Sequence, residues 1–320
     1  MHSHAYVPSI LYILIYLLFG TFFIVSLSFS PSYVSCVMAP KRKFIPSRNP
    51  LHSGASSSSS PSNSTPSHVR FHDEKAKSDF LENFSRRSIH SERQVILSDF
   101  SDTNLPSVIH SRGWDSLCGV LITCPSVIIQ EFYSNRHGFD YSIPQFSTCV
   151  RGIRIVVTPD IVSEVLHVPR VVHPDYPSCE YLRTVSKDEL LSLFCKTPSS
   201  WGDRQNTSCS TFAKGLRFLN MVMTFILHPL SHYNTITEPR ARFLLSFIKG
   251  LTIDFLSHFI LSLIDVYKDT ATRDKLIFPF TITRLLRHFS ISYPKSPHFT
   301  FMCAINTATV KRSLAQLRLM

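Results

Sequence analysis

Two histidines, His228 and His232, stand four positions apart, an offset that puts both imidazoles on one face of a helix and suits zinc ligation. A zinc hydrolase of that pattern needs a glutamate beside the first histidine as general base. Pro229 stands there instead and ends the helix. Asp269-Thr270-Ala271 resembles the Asp-Thr-Gly/Ala triplet of aspartic proteases, where the aspartate is half of a carboxylate dyad. Here it follows Tyr267-Lys268 at a helix end, without strand patterning, which fits a cap or a turn. Tyr267-Lys-Asp-Thr270 lacks the paired aspartates that hold metal ions in a reverse transcriptase. Asp254 and Asp265 share a helix face, but an integrase-type triad needs a third carboxylate and a strand scaffold, and neither is evident. Nine glycines in 320 residues leave no glycine-rich phosphate loop. No catalytic, cofactor-binding or metal-binding residue is assigned from these patterns, no cofactor is implied, and the chain is expected not to be an enzyme.

The eight cysteines are Cys36, Cys118, Cys124, Cys149, Cys179, Cys195, Cys209 and Cys303. None forms a Cys-x-x-Cys pair, a zinc knuckle or a finger. Chain length, apolar content and irregular spacing favour reduced, partly buried thiols over disulfides.

The remaining chemistry is charge. The chain has 33 Lys and Arg against 22 Asp and Glu, a formal charge of +11 and a pI near 9.4. That balance favours contact with nucleic acid or anionic lipid. The excess reads as scattered along the chain. Lys41, Arg42 and Lys43 form one short cluster, suited to part of a nuclear signal or to a solvated tail. Arg284, Arg287, Lys311, Arg312 and Arg318 lie on two basic helical stretches. These residues are the candidate nucleic-acid contacts. Phosphate contact and a solvated basic face are both open readings for them.

The elements that must position these groups are mostly helices. Phe212, Leu216, Leu219, Met223 and Ile226 recur at three and four, one face of a helix that Pro229 stops. Thr237 is suited to N-cap the next helix, with Glu238 and Pro239 in its first turn and Gly250 at its end. A third runs from about Ile253 to Lys268, and a short basic one from Ile282 to Phe289 follows Pro279. Upstream, Pro125 opens a helix ending near Gly138, and Arg151 to Val157 is β-branched and reads as a strand or hairpin arm. Thr158-Pro159-Asp160 starts another helix, and Ser186-Lys-Asp-Glu189 is a capping box. A strand-like stretch, His298 to Ala304, precedes a terminal helix from Thr307.

Residues 1–37 are an apolar leader, and 7–29 carry no charge, which is long enough to cross a bilayer at about 20 residues. With Lys41-Arg42-Lys43 on its C-terminal side, the leader would face its N-terminus outward and keep the rest cytosolic. The rival reading is a natural start at Met38, giving a cytoplasmic or nuclear protein without the leader. Residues 38–106 read as a basic, Ser/Pro-rich disordered linker containing at most one weak helix around Phe80, Leu81 and Phe84. The sequons at Asn63, Asn83 and Asn206 are expected to stay unmodified.

Several phrases together resemble the putative plant transposon protein domain, a family found within or beside retrotransposon-derived reading frames. They are Arg112-Gly-Trp-Asp115, Glu131-Phe-Tyr133, Arg151-Gly-Ile-Arg-Ile-Val-Val-Thr-Pro159, Val165-Leu-His-Val-Pro169 and Leu276-Ile-Phe-Pro-x-x-Ile-Thr-Arg284. The resemblance covers residues 107–320 and carries over no catalytic residue. The expected fold class is mainly α, a multi-helix globular domain with a small β hairpin. The resemblance implies a non-enzymatic transposon-derived protein, and helical content with basic charge suggests gag-like self-association with RNA. The alternative is an interaction module tethered to a membrane through residues 7–29.

Overall fold

The computed structural model describes residues 69–119, 122, 125–202, 206–229, 234–268, 275–293 and 303–316. The apolar leader, Lys41–Lys43, the serine-rich stretch, His232, Asp269 and Arg318 lie outside them. About 52% of the described region is helical, so the mainly α expectation holds. None of its helices is long and apolar enough to cross a membrane.

Helix α1 (Glu74–Glu82) is followed by short turns of 3-10 helix, then α2 (Leu105–Ser111) and α3 (Asp115–Cys118). Helix α4 (Ser126–Ser134) leads into β1 (His137–Asp140), β2 (Gln145–Val150) and β3 (Ile153–Val157), an antiparallel meander in the order β1-β2-β3. Next come α5 (Pro159–Leu166), α6 (Glu180–Thr184) and α7 (Lys187–Phe194). Strands β4 (Asn206–Ser208) and β5 (Thr235–Thr237) pair antiparallel around α8 (Lys214–Ile226). Helices α9 (Glu238–Ile248), α10 (Phe255–Lys268), α11 (Pro279–His288) and α12 (Thr307–Gln316) complete the chain.

The helices begin where capping chemistry directs. The Thr158 side chain accepts from Ile161 N at the start of α5, and Ser186 does the same for Glu189 N in α7. Asp254 accepts from Ser257 N (3.2 Å) at the start of α10. That role removes it from any shared carboxylate site with the exposed Asp265. Helix α10 buries Leu256, Phe259, Ile260, Leu263 and Ile264, and its inner face packs on β2 and α5. Burying five such side chains supplies on the order of 10 kcal/mol of apolar driving force before entropy is set against it.

The sheet is larger than a hairpin. Strand β2 pairs with β3 from Phe146–Val157 to Val150–Ile153, and turns through Arg151 (φ 57°) and Gly152 (φ 82°). Two successive left-handed residues make the tight turn that matches strand twist.

Residues 69–106 correct the linker expectation. They are built into the fold. Helix α1 starts at an N-cap, with Asp73 accepting from Ala76 N (2.7 Å), and packs on α4. The following extended segment is a strap. Ser88 O accepts from Leu276 N (2.9 Å) and His90 N donates to Leu276 O (2.8 Å). Farther on, Gln94 O accepts from Ile305 N (2.7 Å) and Ile96 N donates to Ile305 O (3.0 Å). Backbone pairing with distant segments, together with burial of Phe80, Phe84, Val95 and Phe100, offsets the entropy cost that composition alone leaves unmet.

Candidate nucleic-acid interface

The candidate contacts divide by environment. Arg284 points inward from α11: Nη1 donates to Ser116 O (3.0 Å) and Nη2 to Val165 O (3.1 Å). Half-burial lowers its pKa, and the guanidinium ties α11 to α3 and α5. This corrects its reading as a phosphate contact, because the face of its fork is already bonded to carbonyls. Arg287, three residues on, is exposed beside His288 at the end of α11. Lys311 and Arg312 are exposed on α12. Lys41, Arg42, Lys43 and Arg318 fall outside the described residues.

The charge is not scattered. All 22 acidic residues lie between Asp73 and Asp274, where 21 Lys and Arg balance them almost completely. Residues 1–72 and 275–320 carry the other twelve basic residues and no acid. The chain is thus a nearly neutral middle with two basic ends. Simple counting along the sequence reveals this, whereas the net value conceals it.

The histidine expectation resolves into packing. His228 follows α8, and its Nδ1 lies 2.9 Å from Nε2 of His258 on α10. The His258 ring stacks on Phe243, and the His228 ring lies tilted against the same phenylalanine. Burial holds the pKa of His228 well below its ordinary value, with the neighbouring His258 and then Arg240 adding to the depression; burial likewise brings His258 to about 4. The pair is neutral at physiological pH, and among the described residues no group of three or more metal-ligating side chains assembles. Cys118 and Cys209 are buried, and burial pushes both thiols up to about 12, away from thiolate chemistry. The six described cysteines are free.

Among the described residues a cavity of about 450 Å³ lies between the 103–112 segment and α8 and α9. Leu105, Phe218, Leu219 and Phe247 form its apolar wall, with Arg112 and Lys249 at its edge. Its lining holds hydroxyls and two cations but neither an acid nor an imidazole, so it can enclose apolar groups but has no proton-transfer pair.

Sequence reasoning gave no sign of three buried ionisable groups. Glu92, on the strap, accepts from Phe280 N (3.2 Å) and Thr281 N (3.0 Å) and so caps α11. Burial outweighs those bonds and raises it to about 7. Glu131, on α4, accepts from Arg70 N (3.1 Å) and Arg151 N (2.8 Å), joining the chain entry to the β2–β3 turn. Arg136 is enclosed between α4 and α10. Glu131 sits in an apolar run, Glu92 and Arg136 sit among polar residues, and no spacing marks any of the three.

The phrases that carried the resemblance meet one another across these clasps. Glu131 holds the Arg151-Gly152 turn, Tyr133 bonds Ile277, and Gly113 lies against Pro169. A search of curated proteins and a search of solved structures each found no match. A family model described as putative plant retrotransposon-related domain matches residues 110–292. Because that match spans more than half of the 320 residues, the chain belongs to the putative plant retrotransposon-related domain family.

Proposed function

We propose that this transposon-derived protein is non-enzymatic and associates with RNA and with itself in the manner of a gag protein. The observation that carries the reading is the division of charge. Twelve basic residues without a single acid occupy the two ends, around a balanced middle. Acid-free basic segments neutralise phosphates and release counterions, and this binding is independent of sequence. Arg287, Lys311 and Arg312 are exposed within the described part of the C-terminal end. The buried thiols of Cys118 and Cys209 and the helix-capping carboxylates of Asp254 and Glu92 support a non-enzymatic role.

The test is titration of a fluorescent single-stranded RNA at several salt concentrations. For single strands, log K falls with log salt by about 0.7 for each phosphate neutralised. Neutralising Arg287, Lys311 and Arg312 together is expected to make that slope shallower by about 2. An unchanged slope would remove these residues from the interface.

A second reading rests on residues 7–29, which carry no charge and precede Lys41-Arg42-Lys43. It makes the domain a membrane-tethered interaction module. Deleting 7–29 releases the protein from a membrane pellet under that reading and changes nothing if the segment is no tether.

A further inference from the structure

The cavity between α2, α8 and α9 encloses about 450 Å³, inside the roughly 300–1,000 Å³ of small-molecule pockets. Most of its wall is carbon. Leu105, Phe218, Leu219 and Phe247 are buried side chains, and Val108 of α2 lines the same space half-buried. The hydroxyls of the wall are already spent. Thr103 Oγ1 donates to Phe100 O (2.7 Å), Ser111 Oγ to Val108 O (3.1 Å) and Thr252 Oγ1 to Asp175 (2.8 Å). A nucleobase would bury its polar edge against such a wall without partners, whereas a hydrocarbon chain has no edge to satisfy.

The rim is cationic. The Arg112 guanidinium carbon lies 5.2 Å from the Trp114 ring centre and 5.3 Å from that of Phe247, and Nη1 donates to Leu251 O (2.9 Å). Among the described residues no carboxylate pairs with this group, and its Nε and Nη2 have no hydrogen-bond partner, yet neither nitrogen is sealed from solvent. Nε and Nη2 are the two arms of the fork that matches the oxygens of a carboxylate. Burial lowers the pKa of Arg112, and an anion in the cavity would offset that desolvation cost. Lys249, exposed at the end of α9, has its Nζ 5.4 Å from the Tyr181 ring centre and forms no ion pair among the described residues. Acids stay off the lining: Asp102 only adjoins it in sequence, and Asp175 reaches it only through Thr252.

We propose that this cavity binds a small amphipathic carboxylate, with a medium-length acyl chain against Leu105, Phe218 and Phe247 and its head on the open fork of Arg112. Lys249 adds positive field at the rim. An apolar wall with its hydroxyls engaged sets the tail, and a cationic rim without an acid sets the head. None of the exposed C-terminal bases takes part, so the site stands or falls independently of the RNA reading.

The test is calorimetric titration of the full chain with decanoate below its micelle concentration, beside decanol and acetate. Decanoate is expected to saturate at one per chain. Decanol has the same tail without the charge and should bind about tenfold more weakly, and acetate, a head without a tail, should not bind detectably. Lys249→Glu changes an exposed side chain and should weaken decanoate about fivefold while leaving decanol unchanged. Val108→Phe narrows the cavity and should weaken both. Arg112→Gln should bring decanoate down to the affinity of decanol; Arg112 also holds Leu251 O, so if that variant unfolds the three ligands on the wild type still decide the matter. Equal affinity for decanoate and decanol would overturn the carboxylate site. So would decanoate uptake that never saturates, or that survives Val108→Phe and Lys249→Glu unchanged, which would mark adsorption to a basic chain.

Discussion

The Tyr133 hydroxyl donates to the carbonyl of Ile277 at 2.9 Å and accepts from the amide of the same residue at 3.3 Å. One fully buried side chain on α4 thereby satisfies both backbone groups of a residue 144 positions away. Tyr133→Phe keeps the ring and strands those two groups. The expected loss is about 1–3 kcal/mol, read as a lower urea midpoint with an unchanged slope. A midpoint equal to that of the wild type would show that water or a neighbour replaces the hydroxyl.

Glu92 makes stability depend on pH. Its folded pKa, about 7, lies above the ordinary 4.5. Between those values the folded chain holds a proton that the unfolded chain releases, so stability falls as pH rises through the window. The span corresponds to roughly 3 kcal/mol. Glu92→Gln carries no charge at any pH and removes that slope. His258 has the opposite sign: depressed to about 4, it costs stability as pH falls from 6.5. That contribution is common to both proteins and cancels in their difference. Parallel curves for the two proteins across pH 4.5–7 would contradict the assignment.

Gly113 has φ +64°, and a Cβ there would meet Pro169 Cδ at 2.8 Å. Left-handed backbone and the proline ring both oppose a side chain. Gly113→Ala is expected to cost about 1–3 kcal/mol. Gly152 also has positive φ, but no atom lies within 4 Å of its added Cβ, so Gly152→Ala should cost less. Equal losses would indicate that backbone strain alone governs both.

Arg284 and Arg287 are neighbours in sequence with separate duties. Arg284→Gln should lower stability by about 1–3 kcal/mol, since Ser116 O and Val165 O lose charged donors, and leave the RNA salt slope unchanged. Arg287→Gln should do the reverse, weakening RNA binding with stability within about 0.5 kcal/mol of the wild type. A matched effect of both on RNA would place Arg284 back among the contacts.

The helices were legible where local rules suffice. Pro229 after α8 and the Ser186 cap of α7 mark ends that backbone hydrogen bonding enforces, whereas Thr237 stands at the N-cap of α9 without a side-chain capping bond. The strap was not legible. Its pairing with Leu276 and Ile305 is long-range and leaves no period in residues 88–96. Strand β1 was missed because His137–Asp140 is short and follows closely on α4. For the interface, residue type alone could not separate Arg284 from Arg287. The helical phase of α11 separates them, and its packing partners lie more than a hundred residues upstream. The segregation of charge was open to counting throughout.

The most direct test is sedimentation of purified residues 38–320 at low salt, with and without nuclease. The account predicts a large species containing RNA that shrinks on nuclease treatment and on raising salt. A monomer-sized species indifferent to both would contradict it and leave the basic ends as solvated surface.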